Sequence, residues 1–180
     1  SGTRIIRTIE LLLNMSEVQS HTYNYQPKEM DLEEEVLTPI FKEYLALAKG
    51  KNLDLTITKE NQIPKLFLDE YTIKQIFSNL VDNAIKYTKE GSIQIIYGMN
   101  EHMYVKIIDT GIGIKAEYMK SIFEPFTQED HGYTRKYEGN GLGLALVKRY
   151  CELNDAQINV KSEKEKGSTF EVIINKSRIV

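Results

Sequence analysis

The chain has 180 residues, 41% hydrophobic and 27% charged, which is an ordinary globular composition and excludes wholesale disorder or a collagen-like polymer. Asp and Glu (26) outnumber Lys and Arg (23), and the resulting net charge of −3 is the opposite of what a duplex-DNA-binding protein usually carries. A single cysteine, Cys151, excludes a disulfide framework and is consistent with a reducing compartment. No apolar run is long enough to cross a bilayer. The opening Ser1-Gly2 is typical of a cloning remnant, so we expect a piece of a longer protein.

The first element is an amphipathic helix predicted over residues 4–24, and Pro27 marks the end of this part of the chain. Its apolar residues are spaced three or four apart: Ile5, Ile9, Leu12 and Leu13. A single helix cannot bury such a stripe by itself. The segment therefore resembles one member of a helical bundle, and we place a domain boundary near residues 25–27.

The next segment predicts a strand, a helix and two further strands. A short strand is expected at 28–31, where Asp31 is a candidate N-cap with Glu34 as its capping-box partner. The helix that follows runs to Lys49, with Gly50 as the C-terminal glycine. Two short strands then follow, at 53–58 and 65–68.

A strongly periodic helix is predicted over 70–88, beginning after Asp69. The elements predicted after it are a hairpin of strands 93–97 and 105–107, a short helix at 115–122, a mobile polar loop at 127–140, a helix at 141–153 and a hairpin of strands 156–162 and 168–175. Helices mixed with antiparallel hairpins indicate an α+β fold, with a mixed, largely antiparallel sheet covered on one face by helices.

Three groups of polar and glycine residues could carry chemistry, and the first lies on helix 70–88. Asn79, Asn83 and Lys86 share one flank of that helix. An amide oxygen is a suitable neutral ligand for Mg²⁺, and a lysine supplies a point charge for phosphate. A solvated helix flank would give the same pattern, so this group alone does not establish a site.

The second group is Asp109 at the end of an apolar strand, followed by Gly111 and Gly113. The carboxylate can accept a hydrogen bond from an exocyclic amine. Glycine at both later positions allows positive φ and the close approach of a flat ring. A strand followed by an ordinary turn would explain the same residues.

The third group is Gly139, Gly141 and Gly143, where the polar loop joins the predicted helix 141–153. Glycines at a helix N-terminus leave backbone N–H groups free to hold phosphate oxygens, although a flexible linker is the alternative. Leu144 departs from the Rossmann fingerprint, and the chain contains no P-loop pattern, so both of those nucleotide-binding motifs are excluded.

Taken in order, five motifs resemble the catalytic, ATP-binding domain of bacterial sensor histidine kinases. The N box, first glycine box, F box, second glycine box and third glycine box correspond to residues 79–88, 109–113, 123–126, 139–143 and 167–170. The resemblance covers about 28–180, while residues 4–24 are similar to the second helix of the family's dimerisation and phosphoacceptor domain. It implies a Bergerat fold, a two-layer sandwich at 27–180 preceded by one long N-terminal helix in a separate unit at 1–26.

The resemblance also implies roles for the matched residues. Those assigned to the triphosphate and the metal are Asn79, Asn83 (the Mg²⁺ ligand), Lys86, Arg135, Gly139, Gly141, Leu142 and Gly143. Those assigned to the base and its surroundings are Tyr87, Asp109, Gly111, Gly113 and Thr169. Asn79, Lys86 and Arg135 would have the catalytic roles. Phe123 and Phe126 would anchor the hinge of a lid at 127–138, or simply pack in the core.

The implied function is that of an ATP- and Mg²⁺-dependent kinase core, which transfers the γ-phosphoryl group to a histidine on the first dimerisation helix for relay to a response-regulator aspartate. The implied partners are ATP, the dimerisation domain and a receiver domain, with no nucleic acid and no membrane contact by this fragment. The parent would be a homodimer, with this part in the cytoplasm and a membrane anchor elsewhere left open.

Two features depart from the family pattern. Position 140 is Asn where the family usually has Thr or Ser, and an amide can still donate to phosphate. None of His21, His102 and His131 is followed by an acid, and the phosphoacceptor motif needs that pair. We therefore interpret all three as surface histidines and expect no autophosphorylation of this chain.

Two other functions stay open at this point: a regulatory nucleotide-binding module that no longer transfers phosphate, and a clamp-type ATPase. Wider relatives that hydrolyse ATP place a Glu one turn before the metal-binding Asn, where it activates water. This chain has Asn79 there, and the missing general base is typically worth about 10²–10⁴ in rate. The residue types therefore favour transfer to a partner side chain over hydrolysis.

Overall fold

The protein is described by a computed structural model over residues 2–128 and 141–180. Its helices and strands, in chain order, are α1 Gly2–Gln19, β1 Pro27–Met30, a π-helical turn Glu33–Leu37, α2 Thr38–Gly50, β2 Leu53–Lys59, β3 Leu66–Asp69, α3 Glu70–Tyr87, β4 Gly91–Met99, β5 Met103–Asp109, α4 Gly143–Leu153, β6 Ala156–Glu163, β7 Gly167–Ile174 and a 3₁₀ turn Lys176–Arg178.

The main sheet of the described residues has the strand order β2-β4-β5-β7-β6. Strands β2 and β4 are parallel, and the other neighbours are antiparallel. Strands β1 and β3 pair separately as an antiparallel ribbon. Helices α2, α3 and α4 contact the main sheet through β2, β5 and β6 respectively. The predicted α+β architecture, with a mixed and largely antiparallel sheet under helices, is confirmed.

The core lies between the helices and one face of the sheet. Alternate residues of each strand are buried there, as the period-two side-chain pattern requires. Helix α3 contributes the largest apolar face, in which Ile73, Ile76, Phe77 and Val81 are fully buried. It starts where predicted, because the Asp69 carboxylate accepts a hydrogen bond from the Thr72 N–H at 2.9 Å and so caps the helix.

Helix α1 is shorter than predicted, since it ends at Gln19 rather than running to residue 24. His21 adopts a left-handed conformation (φ 56°). The chain is then held by the Asp69 carboxylate, which accepts hydrogen bonds from Tyr23 Oη and the Gln26 N–H, both at 2.9 Å. The helix ends locally, because the His21 N–H donates to Val18 O and the Thr22 N–H donates to Glu17 O around the left-handed His21, and the contacts with Asp69 then hold the chain that leaves it.

The apolar stripe predicted on α1 does not face the rest of the chain. Ile5 and Leu13 are about 60% exposed, and Ile9 and Leu12 are also exposed. A second apolar face, made by Leu11, Met15 and Val18, is buried instead. Helix α1 therefore has two apolar faces, and the rest of this chain covers one of them.

The two ends of the segment that contains α2 differ in detail from the prediction. Asp31 accepts a hydrogen bond from the Glu34 N–H at 3.0 Å, as an N-cap does. The Asp31 N–H, however, donates to the carboxylate of Glu35, at 2.6 Å, and not to that of Glu34. The turn that follows is π-helical, so the expected register of the first turn is shifted by one residue. At the other end Gly50 is still helical, and Asn52 takes the left-handed position (φ 56°).

Residues 115–122 form separate turns and not the predicted short helix. The Tyr118 N–H donates to Lys115 O, and the Ser121 N–H donates to Tyr118 O, at 2.9 and 3.0 Å. Each bond spans three residues and begins where the previous one ends. An α-helix needs a continuous ladder of bonds between residues four apart, and these turns do not provide one.

No helix within the described part of the chain is long and apolar enough to cross a membrane.

Candidate nucleotide-binding site

Asp109 lies at the end of β5 and is 7% exposed. Its carboxylate accepts a hydrogen bond from the Gly111 N–H at 2.9 Å and another from the Ser168 backbone N–H. Burial raises the pKa of this carboxyl, while the two backbone donors partly oppose that shift. Among the described residues, no lysine or arginine forms an ion pair with it. A buried carboxylate without a cation is suited to a ligand that carries hydrogen-bond donors.

The two glycines after Asp109 are required for different reasons. A methyl group on Gly111 would lie 2.8 Å from Asp109 Oδ1 and 2.5 Å from Tyr87 O, so glycine allows this loop to approach α3. Its φ is not positive, and that expectation was wrong. Gly113 does have a positive φ (63°), and a methyl group there would lie 2.0 Å from Glu163 O. Gly113 therefore packs the loop against the turn between β6 and β7.

Strand β7 brings Ser168 to Asp109, and the prediction had placed Thr169 there. Ser168 pairs with Asp109 across the β5–β7 ladder, whereas Thr169 pairs with Ile108. Neighbouring side chains on a strand point to opposite faces, so Thr169 lies on the face away from Asp109. The Ser168 hydroxyl is 2.8 Å from the Ser162 hydroxyl, which in turn accepts a hydrogen bond from the Ile114 N–H at 2.8 Å.

The predicted phosphate end is on α3. Asn79 is 5% exposed, and its side-chain Nδ2 has no hydrogen-bond partner among the described residues. Asn83 and Lys86 are half-buried on the same flank of the helix. The Lys86 ammonium lies 5.0 Å from the centre of the Tyr87 ring. The Asn79 side-chain N–H groups thus have no acceptor among the described residues, and a bound ligand can supply one.

Helix α4 begins beside Asn79. A methyl group on Gly143 would lie 3.7 Å from Asn79 Oδ1, so the predicted N box and the end of the second glycine box are in van der Waals range. Leu142 is buried at the N-cap position, and no described side chain caps the helix there. The N-terminal N–H groups of a helix attract anions. Arg135 and Gly139, two of the predicted phosphate ligands, lie outside the described residues, as does most of the predicted lid.

The F box lies next to the second glycine box. The Phe126 N–H donates to Gly141 O at 3.0 Å, and a methyl group on Gly141, whose φ is 69°, would lie 2.8 Å from Phe126 Cα. Phe123 packs against the core, but Phe126 is 69% exposed. Core packing therefore explains Phe123 and does not explain Phe126, which lies where the chain enters the predicted lid.

The amide and backbone groups at the Asn79 end agree with a metal that is held mainly through phosphate oxygens. Within residues 2–128 and 141–180, no cluster of three or more His, Cys, Asp and Glu side chains could hold a metal ion. Mg²⁺ is commonly bound by one or two protein ligands together with substrate phosphates and water. The half-buried Asn83 amide can supply one such oxygen, so the residues present fit this ion.

The sequence profile described as "Histidine kinase-, DNA gyrase B-, and HSP90-like ATPase" matches residues 68–178, which include Asn79, Asp109 and the third glycine box. The chain belongs to this ATPase family. The predicted resemblance is thereby confirmed, and the domain is homologous to the ATP-binding kinase cores of two-component sensor kinases.

Curated relatives of this ATPase-family domain are sensor kinases. It is 33% identical over 97% of its length to the autoinducer 2 sensor kinase/phosphatase LuxQ of Vibrio parahaemolyticus, and 34% identical over 97% to the sensor histidine kinase RcsC of Escherichia coli K12. A fission-yeast relative, the peroxide stress-activated histidine kinase mak2 of Schizosaccharomyces pombe, is 35% identical over 94% of the chain. The chain spans 21%, 18% and 8% of these proteins respectively.

Solved structures agree with this assignment. Full-length ShkA in complex with AMPPNP superposes with a TM-score of 0.85 at 23% identity, covering 97% of this chain and 36% of that one. The nucleotide-free catalytic domain of the histidine kinase ThkA superposes with a TM-score of 0.70 at 26% identity, covering 84% of this chain and 96% of that one. The chain is thus similar over most of its length to a histidine kinase catalytic domain that was solved by itself.

Sequence reasoning missed two hydroxyl groups that the fold places close to Asp109 and Gly111 in this ATPase-family domain. Ser168 could have been found from the alternation along β7, because Phe170 and Val172 are apolar and share its face. Thr88 is fully buried at the end of α3, and a methyl group on Gly111 would lie 2.8 Å from its Oγ1. No local pattern indicates that contact, because it depends on a loop more than twenty residues away.

Proposed function

We propose that the chain binds ATP with Mg²⁺ along α3 and transfers the γ-phosphoryl group to a histidine of a phosphoacceptor helix, for relay to an aspartate of a receiver domain. One observation carries the proposal. The unpartnered Asn79 amide and the buried Asp109 carboxylate lie at the two ends of the same stretch of α3, since Asp109 meets the helix through Gly111 at Tyr87. From residue 79 to residue 87 the helix rises about 12 Å, which is the scale of an extended nucleoside triphosphate.

The residues of this chain would divide the nucleotide between them. Asp109 accepts from the exocyclic amine of adenine, and the Asn79 Nδ2 donates to a phosphate oxygen. The first N–H groups of α4 and the Lys86 ammonium add positive potential at the same end. Asn83 offers its amide oxygen to Mg²⁺, which when bound neutralises charge on the phosphate oxygens. Phosphoryl transfer depends mainly on this positioning and charge neutralisation.

Asn79 supports transfer over hydrolysis. An amide cannot take a proton from an attacking water, and that assistance is worth about 10²–10⁴ in rate. Without it, ATP persists in the site until a histidine nucleophile is presented. A neutral imidazole already carries a lone pair on its attacking nitrogen. Transfer to histidine therefore does not depend on a carboxylate base at position 79.

We further propose that residues 1–26 are the second helix of the dimerisation and phosphoacceptor hairpin and that 27–180 are the catalytic domain. The two apolar faces of α1 support this division. Leu11 and Met15 pack on the catalytic part, while Ile5, Ile9 and Leu13 are left exposed for partner helices of the hairpin and of a second protomer. Such a helix is marginal alone and is stable in a bundle.

The test combines binding with transfer. The chain is incubated with γ-labelled ATP and Mg²⁺, with and without an added two-helix hairpin that carries a histidine followed by an acid. We expect acid-labile, alkali-stable label on the hairpin and none on the chain, with His21→Ala making no difference. Phosphate release by the chain alone near the general enzyme median of about 10 s⁻¹ would show that water is the natural acceptor and would refute the kinase proposal.

A further inference from the structure

Thr88 carries a hydroxyl group that the fold leaves without a described partner. The residue is fully buried at the C-cap of α3, in an extended conformation. Its backbone carbonyl accepts a hydrogen bond from Lys51 Nζ at 3.3 Å, but its side-chain Oγ1 has no partner among the described residues. Buried polar groups in folded proteins are nearly always paired. Valine would fill the same space without burying an unpaired hydroxyl, so packing alone does not account for threonine at this position.

The hydroxyl shares its surroundings with the Asp109 carboxylate. A single point beside Gly111, where a methyl group would be, lies 2.8 Å from Thr88 Oγ1 and 2.8 Å from Asp109 Oδ1. The two oxygen atoms are therefore no farther apart than one bridging water can span. The Tyr87 carbonyl next to them accepts from the Ile112 N–H at 3.1 Å. Thr88 Oγ1 is thus the group with unused hydrogen-bonding capacity beside Asp109.

The two groups have complementary chemistry. An ionised carboxylate only accepts hydrogen bonds, whereas a hydroxyl both donates and accepts. The edge of adenine presents an amine donor flanked by ring-nitrogen acceptors. A carboxylate alone can recognise the amine, but it cannot recognise the ring nitrogen beside it.

We propose that the Thr88 hydroxyl is a specificity-determining group of the nucleotide site. It donates, through one water, to a ring nitrogen of adenine that flanks the amine bound by Asp109. The inference rests on the proposed ATP binding and adds a second recognition group to the base end. Glycine at position 111 allows the loop to pack against both oxygens, which a side chain there would prevent.

The test is calorimetric titration of the chain and its Thr88→Val variant with ATP, 1-deaza-ATP and 7-deaza-ATP, each of which replaces one flanking nitrogen by carbon. We expect Thr88→Val to weaken ATP binding between about three- and tenfold, the effect of one lost hydrogen bond. With one of the two deaza analogues, wild type and variant should bind equally, because the acceptor is already gone.

Two further variants separate recognition from packing. Thr88→Ser keeps the hydroxyl and should stay within about twofold of wild type for ATP. Tyr150→Phe removes another buried hydroxyl that lacks a described partner, in the Tyr23–Tyr71–Tyr150 cluster, and should leave ATP affinity unchanged. Thr88→Ala serves as a second hydroxyl-free variant if the valine chain does not fold, as judged by thermal melting.

The outcomes distinguish this inference from the proposal beneath it. If the wild type binds ATP and Thr88→Val binds it with the same affinity, the inference about Thr88 is wrong and the proposed function stands. An equal loss with ATP and with both deaza analogues also overturns it, because the effect would then be structural. A wild-type chain that binds no ATP overturns the proposed function, and the role of Thr88 with it.

Discussion

Replacing Asp109 by asparagine tests the base end of the site with almost no change of shape. The carboxylate becomes an amide, whose NH₂ group can face the adenine amine donor to donor. A hydrogen bond to a charged group contributes about 1.5–3 kcal/mol, so we expect Asp109→Asn to weaken ATP binding about ten- to hundredfold. The burial of Asp109, at 7% exposure, puts the loss toward the upper part of that range because solvent cannot replace the bond.

The same variant should narrow the preference for ATP over GTP. Guanine presents a carbonyl oxygen where adenine has its amine, and a carboxylate facing that oxygen places two acceptors together. The amide of Asp109→Asn can donate to it. Titration calorimetry with both nucleotides gives the ratio, and Asp54→Asn, an exposed aspartate on β2, is the matched control. Unchanged ATP affinity and an unchanged ATP/GTP ratio in Asp109→Asn would refute the assignment.

Asp109 also makes a prediction about stability without nucleotide. Burial raises its pKa in the folded chain above the unfolded value, so the folded state binds the proton more tightly. The stability that this proton contributes is fully present below the unfolded pKa and is lost as the pH rises through the folded pKa. Denaturant melts across acidic to neutral pH should therefore show a falling contribution in the wild type that Asp109→Asn lacks.

Three other substitutions test separate parts of the structure. Asn83→Ala should remove the Mg²⁺-dependent part of ATP affinity and spare binding measured in EDTA; an equal loss under both conditions would contradict its role as the metal ligand. Gly113 has a φ of 63°, and an added methyl group would lie 2.0 Å from Glu163 O. Gly113→Ala should therefore lower the unfolding free energy by at least about 1–2 kcal/mol in denaturant melts. The control Gly50→Ala, where a methyl group would meet nothing within 4 Å, should leave that free energy nearly unchanged. Asp69→Ala removes the cap of α3 together with the acceptor of the Tyr23 and Gln26 bonds, so it should lower the unfolding free energy by at least about 0.5–2 kcal/mol in the same assay, and an unchanged unfolding free energy would contradict the stabilising role of these contacts.

Local sequence rules located the main elements of the fold because their signals lie within a few residues. Capping chemistry and a 3.6-residue period are enough to predict where α3 starts, after Asp69, and which of its faces is buried. The end of α1 could not be found in that way. No glycine marks it, because the left-handed position that closes the last turn is taken by His21, with the Thr22 N–H donating to Glu17 O.

The errors within the site have a similar cause. The motif predicts Thr169 beside Asp109, but the register of β5 and β7 decides which hydroxyl faces Asp109, and it is that of Ser168. Thr88 ends the N box, but the motif assigns no role to its hydroxyl, since the surroundings of that group arise only when the loop after β5 packs against the end of α3. Motif spacing predicts which residues are used, and sheet register predicts which way they face.

The space around each glycine of the three boxes shows whether the fold itself requires glycine at that position. Methyl groups on Gly113 and Gly167 would lie 2.0 Å from the backbone oxygens of Glu163 and Asp109, and a methyl group on Gly141 would lie within 3 Å of the Phe126 backbone. Close approach of one protein segment to another accounts for glycine at each of those positions. At Gly143 the nearest heavy atom to such a methyl group is 3.7 Å away, an ordinary contact with the Asn79 amide. The described residues thus leave room for a side chain at Gly143 and do not account for glycine there. A phosphate group held by the Asn79 amide and the first N–H groups of α4, as proposed above, would account for it.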